Sequence, residues 1–211
     1  MSRGRWHQAR VRWLGGANED HGVVACCATR YNIRVVGPTD LYVLAGVLSS
    51  EEETFTLRCL AGRLHVDHTL VHRALKRAEN AGLYREGSKQ VHSANFEEMA
   101  IHAARFIAPA RLGELTRGLP AAWAAEPISQ LIHQAPSEPP PVWPSALGAV
   151  RGQALAPLHP AAVQASRDPR LAGLLAIIDS LRAGDVRVRK IAGAALTDML
   201  RSSEAPARSA V

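Results

Sequence analysis

The sequence predicts a mainly α-helical fold carrying one short β-hairpin, and three observations support it. Residues 55–83 form two helix-sized segments on either side of a tight break. Directly after them, Glu86-Gly87-Ser88-Lys89 separates two short runs able to pair as strands. Residues 168–203 hold two further segments of apolar periodicity around Gly184-Asp185. A helical domain with a hairpin, followed by a helical C-terminal region, accounts for all three.

Residues 1–34 show no sustained apolar period. They hold six Arg, Trp6 and Trp13 and are expected to be a mobile basic arm. A domain is expected over 35–108. In it Leu41, Leu44, Ala45 and Leu48 recur at helical spacing after Gly37-Pro38-Thr39, and the stretch 49–53 ends that helix. Leu57, Leu60, Ala61 and Leu64 then make one buried stripe. Asp67 stands where the next helix needs an acceptor for its first amides, and that helix, about 67–81, buries Val71, Ala74, Leu75 and Ala78 before Gly82 stops it. Two helices so joined read as a helix-turn-helix. The face opposite the stripe carries Thr69, Arg73, Lys76 and Asn80, flanked by His68, His72 and Arg77. Donors and cations on one open helix face suit the acceptor-rich major groove and the phosphates beside it. Strands are expected at 83–85 and 91–93, a hairpin that would bring Arg85 and Lys89 to phosphates. Asn95 is expected to cap the following helix, with Glu98 reaching back and Phe96, Met99, Ala100, Ala103, Phe106 and Ile107 available for burial.

Residues 109–144 are rich in Pro and Gly and read as an irregular connector, with 135–144 extended. A helical-hairpin interaction region follows over 145–203, with a short strand or extended crossing at 150–158 ahead of its helices, and 204–211 form a tail. Asp168 and Pro169 open the first helix, which buries Leu171, Leu174, Leu175, Ile178 and Leu181 and ends at Gly184. Asp185 opens the second, with Val188, Ile191, Ala192, Ala195 and Met199 inward. Arg187, Arg189 and Lys190 crowd its first turn, where cations oppose the helix dipole, so they form a candidate partner-binding patch.

Composition narrows the function classes. The chain has 211 residues, 47% hydrophobic and 21% charged, with a net charge of +6, which describes a soluble globular protein without a membrane span. The basic balance is not spread evenly. The six Arg of 1–34 stand against Glu19 and Asp20, whereas 35–95 hold seven cations and seven anions. Local polarity is therefore the better guide: Glu51, Glu52 and Glu53 precede the helix-turn-helix, and the cations gather on its second helix and beyond. Cys26, Cys27 and Cys59 make neither a disulfide framework nor a Cys-x-x-Cys pair, which points to a cytoplasmic location. His65, Asp67, His68 and His72 are metal-ligand types, but position 69 is Thr, so the zinc-protease pattern is absent, and a DNA role competes for the same side chains. Asp179 and Asp185 read as solvated or capping residues. No catalytic residue, metal site or cofactor is expected, and the protein is read as a non-enzyme.

The run LAGRLHVDHTLVHRALKRAENAGLY, residues 60–84, resembles the recognition unit of bacterial winged-helix regulators of the MarR and ArsR kind, whose pattern is LA-x-x-L-G-V-x-x-x-x-V-x-R-x-L-x-x-L-x-x-x-G-L. Leu60, Ala61, Leu64, Val66, Val71, Arg73, Leu75, Gly82 and Leu83 match it, with His65 in place of the turn glycine and Ala78 in place of a leucine. RFIAPARLGELTRGLPAAWAAEPI, VWP, VRGQALAPLHPAA and DPRLAGLLAIIDSLRAGDVRVRKIA extend the resemblance to about residue 200, to winged helices with a small helical C-terminal region. The resemblance implies a winged helix-turn-helix, with the hairpin as wing. It implies a dimeric, sequence-specific transcription regulator that binds double-stranded DNA through His68, Thr69, His72, Arg73, Lys76, Arg77, Asn80, Arg85 and Lys89. The alternative is an antitoxin-like subunit that restrains a partner enzyme through its C-terminal region and autoregulates through the winged helix.

Overall fold

The computed structural model describes residues 36–50, 55–132 and 138–204. The expected arm at 1–34, the run Glu51-Glu52-Glu53 and the tail beyond Glu204 lie outside the described residues. No helix among the described residues is long and apolar enough to cross a membrane.

Helix α1 (Pro38–Leu48) starts on a proline, whose missing amide donor is not needed there, and the Asp40 carboxylate accepts from the Gly37 amide at 2.9 Å. The expected stripe is exceeded, since every residue from Asp40 to Val47 is buried. Such a helix is enclosed by its neighbours. Helix α2 (Leu57–Arg63) is capped by Thr56, which accepts from the Cys59 amide, and buries Leu60, Ala61 and Leu64 with it. Helix α3 (His68–Asn80) starts at Asp67, whose carboxylate accepts from the Thr69 amide at 2.7 Å, and buries Val71, Ala74, Leu75 and Ala78. Between the two helices His65 holds φ 51, with its own amide on the Gly62 carbonyl and that of Val66 on the Ala61 carbonyl. His65 thus terminates α2 in a left-handed conformation that glycine adopts at lower cost. Gly82, at φ 71, ends α3 in the same way.

The hairpin consists of β1 (Tyr84–Arg85) and β2 (Gln90–Val91), with Tyr84 opposite Val91. It is shorter than expected because Ser93 already belongs to α4 (Ser93–Ile107). Asn95 does not cap α4, which begins from His92 without a side-chain cap. The Asn95 side chain instead donates through Nδ2 to the Gly82 carbonyl at 2.8 Å, tying α4 to the end of α3. The stripe of α4 is Phe96, Ala100 and Ala104, while Phe106 is exposed under the Arg105 guanidinium, 4.4 Å from its ring centre.

The described residues of 109–144 do not form an irregular connector. They contain β3 (Leu112–Pro120) and β4 (Pro141–Pro144), which close with β5 (Val150–Leu155) into a small three-stranded barrel. Strand β3 runs antiparallel to both others, and β4 and β5 pair in parallel. The residues that read as breakers are used here for geometry. Pro120, Pro141 and Pro144 sit at strand ends, and Gly118 allows a backbone approach in which a methyl group would lie 2.1 Å from the Trp143 carbonyl oxygen.

A 3-10 turn at Ala122–Ala124 and helix α5 (Ile128–Leu131) link β3 to β4, and α6 (Ala162–Ala165) follows β5. The helical hairpin then forms as expected, with α7 (Pro169–Ala183) capped by Asp168 and ended at Gly184, and α8 (Val186–Glu204) opened by Asp185. Inward positions of α8 include Leu196 and Leu200, which the expected stripe omitted. Among the described residues helix α7 is central, packed on α1, α4, α8 and the 3-10 turn. It buries Asp179, contrary to the expectation of a solvated residue. The Asp179 carboxylate accepts from Trp143 Nε1 at 2.7 Å and from Arg182, whose Nε donates to the Ala108 carbonyl at 2.7 Å. Burial pushes the Asp179 carboxyl up, against the pull of Arg182 and Trp143.

His159 joins the C-terminal region to α1 by stacking on Tyr42, with ring centres 5.3 Å apart, and its Nδ1 accepts from the Ala161 amide. Burial holds its pKa below the ordinary histidine value. The unfolded chain therefore takes up this proton first as pH falls, so the stabilisation is complete above the ordinary value and is lost as pH drops through the folded one. Thermal unfolding is expected to show a smaller loss of Tm between neutral and mildly acid pH for His159→Phe than for the parent.

Candidate nucleic-acid interface

Packing decides which face of α3 is open. With Val71, Ala74, Leu75 and Ala78 buried, His68, Thr69, His72, Arg73, Lys76 and Asn80 are all exposed, and Thr69, Arg73, Lys76 and Asn80 lie on one side at helical spacing. Arg85 is exposed on the neighbouring hairpin. Among the described residues His72, Arg73, Asn80 and Arg85 form no ion pair or side-chain hydrogen bond, so their donors are available to a ligand. Beside them, a groove of about 470 Å³ is bounded by residues 55–58, by His72, Lys76 and Glu79 of α3, and by Tyr84, Glu86 and Lys89 of the hairpin.

Three expected contact residues have partners within the fold. Arg77 leaves the open face and forms a two-pronged pair with Asp40 of α1, Nε to Oδ2 at 2.9 Å and Nη2 to Oδ1 at 2.5 Å. The Asp40 side chain is 1% exposed, so the buried carboxylate requires this cation and Arg77 is half-buried against it. The pairing raises the Arg77 pKa further. Lys76 lies between Glu79 at 2.7 Å and Glu86 at 3.4 Å, bridging α3 to the hairpin, and the hydrogen bond to Glu79, then that to Glu86, raises its pKa. Lys89, at φ 54, donates to the Phe55 carbonyl at 3.1 Å and fixes the hairpin to the start of α2. The pair of Lys76 with Glu79 was readable from its i, i+3 spacing. The partners Asp40 and Phe55 lie 37 and 34 residues away, with no local signal.

The patch on α8 is also smaller than expected. Arg189 donates to the Gly184 carbonyl at 2.7 Å, where a cation favours the end of α7, and Arg187 and Lys190 remain exposed. His68 Nδ1 lies 3.6 Å from the Asp67 carboxylate. No three His, Cys, Asp or Glu side chains among the described residues come together as metal ligands.

No family model, no curated protein and no solved structure matches the chain.

Proposed function

We propose that the protein is a sequence-specific DNA-binding regulator of the winged helix-turn-helix kind, without enzymatic activity, in which α3 enters the major groove and the β1–β2 hairpin is the wing. The observation that carries this reading is the open face of α3, where Arg73 and Asn80 stand unpaired among the described residues with His72 beside them. These are side chains that read base edges, Arg bidentately on guanine and Asn on adenine. Arg85 supplies a phosphate contact beside the groove, and Lys76 becomes one when DNA draws it from Glu79 and Glu86. Glu79 and Glu86 repel phosphates, so recognition rests on few cations and selectivity on base contacts. The antitoxin-like reading keeps only Arg187 and Lys190 of its expected patch, and no observation favours it over DNA binding. Selection of duplexes from a random pool by the full chain tests the proposal. Enrichment of one motif, with a paired repeat if the protein acts as a dimer, is the expected outcome, and a pool that stays random contradicts it.

A further inference from the structure

We propose that one face of the β3–β4–β5 barrel docks an acidic segment with apolar neighbours, carried by a partner protein and gripped by Arg117 and Arg151. The strand register sets Arg117 of β3 directly opposite Arg151 of β5, which puts both side chains on one face. Both are exposed, and no carboxylate among the described residues pairs with either. Like charges placed opposite each other destabilise a sheet, so folding alone does not favour this pair, and an anion bridging the two guanidinium groups removes the repulsion. Arg117 is anchored on the barrel. Arg117 Nε donates to the Gly148 carbonyl, and Gly148 lies so close to β3 that a methyl there would sit 1.9 Å from the Gly118 carbonyl carbon.

The apolar surroundings choose between anions. Leu115 lies two residues from Arg117 on the same face and is 55% exposed, and Leu147, adjacent to Gly148, is 78% exposed. A phosphate backbone offers nothing to these leucines, whereas a peptide with alternating carboxylate and apolar side chains satisfies both kinds of group. A closed barrel has no free edge for an added strand, so docking goes through side chains. The surface belongs to other elements than α3 and stands or falls independently of DNA binding.

A fluorescent peptide alternating Glu and Leu, titrated with the full chain and followed by anisotropy, tests the proposal. Binding should weaken with salt, fall about tenfold or more in the Arg117→Gln, Arg151→Gln double variant, and fall in Leu115→Ser. A matching Gln and Leu peptide should not bind. The single variant Arg151→Gln should melt no lower than the parent, because it relieves repulsion. Undiminished peptide binding by the double variant, equal binding of the uncharged peptide, or absence of binding overturns the proposal. So does a double variant that loses duplex DNA affinity in place of peptide affinity, or a clear drop in Tm for Arg151→Gln.

Discussion

Replacement of Asp179 by alanine should destabilise the chain by about 3–5 kcal/mol, the usual consequence of removing one partner from a buried ion pair. Arg182 would keep its charge in the interior, with only the Ala108 and Ala156 carbonyls to accept from it. Trp143 would lose the acceptor for its indole nitrogen at the same time. Because α7 packs against four other elements, the damage should not stay local. Urea unfolding of Asp179→Ala should show a lower midpoint, and replacing both Asp179 and Arg182 by leucine should recover much of the loss, since no unpaired charge then remains. A shift of Asp179→Ala below about 1 kcal/mol would mean that the pair is not isolated from water.

Arg77→Ala should lower stability by about 3 kcal/mol, because it leaves the Asp40 carboxylate buried beside the Gly37 amide alone. This outcome separates two roles for the same residue. A DNA contact on an open helix face would melt normally as alanine and lose affinity. A strut between α1 and α3 should melt early, and DNA affinity measured well below its melting point should change little. Urea unfolding and binding on the same sample check both. Normal melting with lost affinity would return Arg77 to the interface.

The part of the fold that was legible is the part encoded locally. Val71, Ala74, Leu75 and Ala78, the Asp67 cap and the Gly82 stop are decided within a few turns of chain, as are Asp168, Pro169 and Gly184 around α7. The barrel was not legible, because β3 pairs with partners more than twenty residues away and its burial does not alternate cleanly. Its glycines mark close backbone crossings, and in sequence such glycines cannot be told from those of a loop. Asp179 misled for a related reason. A polar residue about one and a half turns before a glycine suggests a solvated helix end, but the run LAGLLAIID is apolar on every side and belongs to an enclosed helix. At the candidate interface the exposed side chains of α3 followed from the period, whereas the ties of Arg77 and Lys89 depended on tertiary neighbours.

The most direct measurement of the central claim is the affinity and base preference of Arg73→Ala on the duplex that the parent selects. Arg73 is exposed, has no partner among the described residues and lies mid-helix on the open face. Its removal should therefore leave Tm unchanged while costing about 1–3 kcal/mol of binding and erasing discrimination at one base pair. Lys76→Ala, as a control, should weaken all sequences alike and flatten the salt dependence. Unaltered affinity and base preference in Arg73→Ala would contradict the assignment of α3 as the element that reads DNA.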